Sequence, residues 1–154
     1  MVDQKPDQEF LKALQQGGGK IAYTWLQQGA NPHAQLADKT TALMLAAEIG
    51  HLPLVKALLA QQVDVNAIGP GRETALTWAC SAGKSKVVRL LLAHGASVSV
   101  PRQRDTVFTW TIWSKRSERA KVDILEAVIA HEADVNRKDR AGDPPLRRCL
   151  KRVG

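Results

Sequence analysis

The chain repeats itself. Thr41-Ala42-Leu43-Met44-Leu45-Ala46-Ala47 returns 33 residues later as Thr74-Ala75-Leu76-Thr77-Trp78-Ala79-Cys80, and Gly50 returns as Gly83. Val55-Lys56-Ala57-Leu58-Leu59-Ala60 returns at the same interval as Val88-Arg89-Leu90-Leu91-Leu92-Ala93. Gly29-Ala30-Asn31, Gln62-Val63-Asp64 and Gly95-Ala96-Ser97 close successive units. A fixed period of this length is the mark of a solenoid, in which each unit buries its apolar face only against its neighbours. A fourth unit opens at Thr106-Val107-Phe108-Thr109-Trp110 and closes at His131-Glu132-Ala133-Asp134-Val135-Asn136, 37 residues after His94-Gly95-Ala96-Ser97-Val98-Ser99. A partial unit begins at Asp139-Arg140-Ala141-Gly142-Asp143-Pro144-Pro145-Leu146.

Local chemistry places two helices in each unit. Thr41, Thr74 and Thr106 stand where a helix starts, and a threonine hydroxyl can cap a first turn. The spacing predicts first helices over about 41–48, 74–81 and 106–114, ended by Gly50 and Gly83, which permit a left-handed turn. Second helices are expected over about 52–61, 85–93 and 121–131, with Leu54, Val55, Leu58 and Leu59 forming one buried stripe. The first unit is degenerate, with helices near 8–16 and 20–28 on either side of Gly17-Gly18-Gly19. Gly69-Pro70-Gly71 and Pro101 mark the loops between units. In the last helix Leu146, Cys149, Leu150 and Val153 share one face opposite Arg147, Arg148, Lys151 and Arg152, a pattern suited to sealing the end of a stack. On that reading the chain is expected to be complete, a single domain over 1–154 with units at about 8–36, 37–69, 70–101, 102–138 and 139–154.

Composition excludes several other classes. With 154 residues and 44 % apolar side chains, the chain can build a core without a metal or disulfides. Cys80 and Cys149 are its two cysteines, neither a disulfide framework nor a zinc signature. The sequence holds no apolar run of membrane-spanning length and no basic-then-apolar leader, so a reducing, cytoplasmic setting is expected. The histidines His33, His51, His94 and His131 are scattered at repeat-equivalent places rather than gathered as ligands or a triad. Gly17-Gly18-Gly19-Lys20 lacks the preceding strand and the following Ser or Thr of a phosphate loop. The expectation is no enzyme, no cofactor and no metal.

Together these residues resemble the ankyrin-repeat family, whose unit reads approximately D-x-x-G-x-T-P-L-H-x-A-A, then G-H, then V-V-x-L-L-L-x-x-G-A-D-V-N-A. The resemblance covers roughly residues 8 to 154 and is specific, because period, helix-opening Thr, inter-helix Gly and closing Asp-Val-Asn occur together. It implies an all-α solenoid of stacked helix-turn-helix units joined by hairpin-like loops, with recognition on the concave face and the hairpin tips. The family's His is Met44, Thr77, Thr109 and Arg147 here, so its hydrogen bonds between repeats are absent or fall to the Thr hydroxyls.

By the resemblance, the seventh position after the opening Thr lies on the concave surface, and it holds Glu48, Ser81 and Trp113. Trp113 is the expected contact residue, since Trp is enriched at binding hot spots, with packing against the neighbouring insertion as the alternative. Trp78 and Trp110 match Leu45 and are expected in the core, as is Trp25. The hairpin tips supply Asp38 and Lys39, Arg72 and Glu73, then Arg102, Gln103, Arg104 and Asp105, then Arg140. With Arg147 these arginines form a positive strip able to grip carboxylate or phosphate. About five extra residues fall within Ser114–Lys121, either a basic contact loop or a solvated helical extension with Glu118 paired to a cation.

Charge points the same way. Residues 1–77 hold six basic and seven acidic side chains, a net of −1, whereas residues 78–154 hold sixteen and eight, a net of +8. The expected function is therefore a non-enzymatic, monomeric adaptor, scaffold or inhibitor that binds a protein partner, acidic by the sign of the strip, with no small-molecule substrate. The alternative is an anionic polymer or surface, nucleic acid or membrane, held by the basic half. A merely solubilising surface would give the same charge pattern.

Overall fold

The computed structural model describes residues 5–98, 107–114 and 116–131. Eight helices follow one another: α1 (Lys5–Gln15), α2 (Gly19–Gln27), α3 (Ala42–Ile49), α4 (Leu52–Ala60), α5 (Ala75–Ser81), α6 (Ser85–Ala93), α7 (Val107–Trp113) and α8 (Glu118–Ala130). Each odd helix pairs with the even helix after it. The pairs then stack, α1 on α3 on α5 on α7 in an inner row, and α2 on α4 on α6 on α8 in an outer row. Among the described residues the only β pairing is a single antiparallel bridge between Gln35 and Thr41.

The helix starts are fixed by the residues the repeat places there. Thr41 Oγ1 accepts from the Met44 amide at 3.3 Å. Thr74 and Thr77 form a reciprocal capping box, the Thr74 amide donating to Thr77 Oγ1 at 2.9 Å and the Thr77 amide to Thr74 Oγ1 at 3.4 Å. Thr77 stands at the family's His position, so its hydroxyl is spent within the unit, donating also to Thr74 O at 2.8 Å. His51 takes a capping part as well, its Nδ1 accepting from the Leu54 amide at 3.2 Å. His94 and His131 place Nδ1 against the carbonyl four residues earlier, Leu90 O and Ala127 O. These histidines serve local geometry.

Two turns show how one unit touches the next. Gly50 (φ 81°) and Gly83 (φ 71°) turn the chain between paired helices in the left-handed region. A Cβ on Gly50 would meet the Lys84 side chain, and one on Gly83 would meet Arg116, each a residue of the following unit. Asn66, from the closing Asp-Val-Asn, clamps the next loop: Nδ2 donates to Gly95 O at 3.1 Å and Oδ1 accepts from the Ser97 amide at 2.7 Å.

The core runs between the rows. Leu43, Met44, Leu54, Leu58, Leu76, Leu91 and Ile124 are buried, and Ala42, Ala46, Ala75 and Ala79 let the inner helices approach closely. Trp25 packs partly buried against this core, as its spacing implied. The helix from the fourth unit begins at Glu118, three residues before the expected 121, with Ser117 Oγ accepting from the Ala120 amide. At 13 residues α8 is longer than the 9-residue α4 and α6, so part of the insertion lengthens the outer helix. The terminal half-unit expected from residue 139 lies outside the described residues.

Stability should follow this stacking. Thr74→Ala removes a cap and is expected to cost about 1 kcal/mol, and Leu58→Ala to cost about 2–5 kcal/mol. Urea unfolding followed by far-ultraviolet circular dichroism measures both, and a Thr74→Ala loss as large as that of Leu58→Ala would contradict the local role of the cap.

Candidate functional site

Stacking three inner helices opens a cleft on their outward face. Its walls are Glu48 from α3, Thr77, Trp78 and Ser81 from α5, Trp110 from α7, and Glu73 from the loop before α5; its volume is about 190 Å³. Glu48 and Ser81 thus meet as the repeat register implied, since both stand seven residues after a helix-opening Thr. Glu48 is exposed, and Ser81 is half-buried with its hydroxyl donating to Trp78 O at 3.3 Å.

Trp78 packs partly buried against the core, as expected, but it and Trp110 also line the cleft. Leu45, at the equivalent place, is 7 % exposed, whereas both tryptophans are only partly buried and line the cleft. The reason is size: the slot between inner helices holds a leucine, and a larger indole extends beyond it into the groove. Trp78 is held there by its own neighbour, Nε1 donating to Glu73 Oε2 at 2.8 Å. Trp110 Nε1 is shielded from solvent and has no acceptor among the described residues. An unmet buried donor costs about 1–3 kcal/mol.

The hairpin tips carry two of the expected residues in matching geometry. Leu36 and Thr40 pair across one tip, Gly69 and Glu73 across the next, and Lys39 (φ 73°) and Arg72 (φ 62°) occupy the left-handed region at equivalent corners. Both side chains are exposed. Asp38 accepts from the Thr40 amide at 2.9 Å, and those hydrogen bonds to Thr40 hold its carboxyl below the ordinary value. Arg102, Gln103, Arg104, Arg140 and Arg147 lie outside the described residues, and so does the side chain of Trp113, whose backbone ends α7.

In the insertion, Lys121 Nζ bonds Glu118 Oε1 at 3.0 Å, the pairing expected of a helical extension. Arg116 reaches back to the end of α5, with its Nε at 3.5 Å from Ser81 O. Glu73 was expected at a hairpin tip beside the groove, whereas Thr77 was not expected there, and neither was the bond from Glu73 to the Trp78 indole. The readable signal was Glu73 five residues before a tryptophan that replaces Leu45.

Cys80 is buried, facing Thr111 of α7. Burial pushes its thiol up from 9.0 to about 12, against a smaller opposing hydrogen bond from Thr111. Among the described residues no three His, Cys, Asp or Glu side chains gather as a metal site. No described helix is long and apolar enough to cross a membrane.

Comparison with known proteins supplies the family context. The family model described as "Ankyrin repeats (3 copies)" matches residues 10–102 and 70–139. The rat "Ankyrin repeat and SAM domain-containing protein 6" is 31 % identical over 149 residues, 94 % of this chain and 16 % of that protein. "Ankyrin repeat and KH domain-containing protein mask" of Drosophila melanogaster is 36 % identical over 97 residues, 62 % of this chain and 2 % of that protein. "Ankyrin repeat, SAM and basic leucine zipper domain-containing protein 1" of Carollia perspicillata is 29 % identical over 99 residues, 64 % of this chain and 21 % of that protein. The chain therefore spans a small part of the length of these relatives.

The raised Cys80 value has a consequence for pH and reactivity. A thiol whose proton is held more tightly when folded stabilises the fold below its unfolded value of 9.0, and that contribution fades as pH climbs toward about 12. In a Cys149→Ser background, Cys80 is expected to stay unlabelled by a thiolate-selective reagent at mildly alkaline pH and to react fully in denaturant. Rapid native labelling would mean that α5 and α7 part readily.

Proposed function

The chain belongs to the ankyrin-repeat family, and from that premise we propose that it is a non-enzymatic interaction module binding one protein partner across its concave face and hairpin tips. Ankyrin repeats generally mediate protein–protein interaction. The observation that carries the reading here is the cleft on the inner row, where Glu48, Ser81, Trp78 and Trp110 stand side by side from three successive units. Partly exposed indoles along an open, elongated groove suit a macromolecule better than a small molecule. The exposed Arg72 and Lys39 at consecutive tips extend the same surface.

The partner is acidic where it meets the second half of the chain. That half carries the net charge of +8, and its tip residues Arg102, Gln103 and Arg104, with Trp113, Arg140 and Arg147, are the proposed contacts. The module acts as a monomer in a reducing compartment, as an adaptor, scaffold or inhibitor.

A variant combining Trp113→Ala, Arg102→Glu and Arg104→Glu is expected to keep its helical content and to lose the partner that the unmodified chain captures from its native lysate, with or without nuclease and at moderate salt. Unchanged capture by the variant would remove this surface from the function. Capture of nucleic acid or lipid alone, lost as salt rises, would make the basic half the binding element instead.

A further inference from the structure

The cleft on the inner row has a sign opposite to that of the chain. Its two ionisable walls are carboxylates, Glu48 and Glu73, in a protein whose net charge is +7. Among the described residues the one ion pair joins Lys121 to Glu118, so neither cleft carboxylate is in an ion pair there, and the cation placed beside a cleft wall is Arg116, whose Nε is 3.5 Å from Ser81 O. Two indoles, Trp78 and Trp110, line the same cleft. We propose that this cleft is a receptor for one cationic side chain, a lysine or arginine, presented by the protein partner on a segment lying along the concave face. The proposal rests on the concave face being the binding surface, and adds what that surface selects.

Three features support a cation on a peptide over other occupants. The first is electrostatic: indole faces attract cations, and carboxylates flanking them supply charged acceptors for the three donors of an ammonium or the five of a guanidinium. A phosphate or an acidic side chain would meet like charge. The second is preorganisation. Trp78 and Glu73 are already joined by their 2.8 Å hydrogen bond, so ring and carboxylate keep their places when the cation enters. The third is the unmet donor. Trp110 Nε1, shielded from solvent and without an acceptor among the described residues, makes no hydrogen bond that ties its indole down, so the ring is free to adjust against the cation.

Size and donor type narrow the occupant further. A space of about 190 Å³ admits the head and last methylenes of a Lys or Arg side chain, and falls below the pockets of about 300–1,000 Å³ that hold drug-sized ligands. Two carboxylates with indoles make no metal cluster. The cleft's acidic members belong to the net-negative half of the sequence and the proposed positive strip to the other half. A partner matching both is acidic toward the C-terminal tips and carries one basic residue further along.

The test needs no identified partner. The full chain, labelled with nitrogen-15, is titrated with N-acetyl-arginine amide and with N-acetyl-lysine amide, while the indole N–H signals are followed by nuclear magnetic resonance. N-acetyl-citrulline amide and N-acetyl-norleucine amide serve as uncharged matches. The expected result is a saturable shift of the Trp78 and Trp110 signals with a charged amide, absent with its neutral match, while Trp25 stays in place. Glu48→Gln with Glu73→Gln, which keeps an acceptor for Trp78, is expected to weaken the response about tenfold, the equivalent of one lost charge-assisted hydrogen bond. Glu48→Gln alone, at an exposed position, repeats the test if the double variant is unstable, with a smaller weakening expected. No shift, an equal shift with the neutral amides, or a response indifferent to these variants overturns the proposal. A partner captured equally well by the unmodified chain and the double variant overturns it too, yet leaves the interaction module itself standing.

Discussion

Close stacking of small-residue helices governs everything else in this molecule. The inner faces of α3 and α5 are rich in alanine, with Ala42, Ala46, Ala47, Ala75 and Ala79 at 2 % exposure or less. Small side chains let the helices approach, and the leucines of the outer row then fill the space behind them. The same closeness limits what can fit between units. Leu45 fits, while the indoles of Trp78 and Trp110 at the matching places reach out into the groove. The lining of the groove is thus generated by the tightness of the core beneath it.

The connections between units keep that stack in register with polar contacts of short reach. Asn66 holds the loop of the next unit through two hydrogen bonds. Lys84 and Arg116 lie against the glycines of the preceding turns. Each contact links nearest neighbours only, as in a one-dimensional array, so the stability of one unit depends on the next being present. The lengthened α8 and the Arg116 contact to the end of α5 show how the departure from the 33-residue period is absorbed without breaking the stack.

Much of the architecture was legible from spacing. Thr41 and Thr74 cap where their positions implied, Thr106 lying outside the described residues; Gly50 and Gly83 turn the chain left-handed, and Leu54, Val55, Leu58 and Leu59 bury together. These features are local, or repeat strictly, and a periodic pattern reports them directly. Glu48 and Ser81 were also legible, since register alone puts them on one face. That Trp78 and Trp110 also reach the cleft was not legible, because register assigns a position but not the room available at it. Glu73 was read as a hairpin-tip residue; its bond to the Trp78 indole depends on how the loop enters α5.

The sequence by itself therefore determined the repeat, the paired helices of the described units, the Thr41 and Thr74 caps, the glycine turns and the family to which the chain belongs, because each follows from residue chemistry at a fixed spacing. Tertiary structure decided the character of the groove. Glu48, Glu73, Trp78 and Trp110 come from three units, and only stacking sets them around one cleft. Their joint sign is opposite to that of the whole chain, because a local field depends on which charges end up adjacent rather than on their sum.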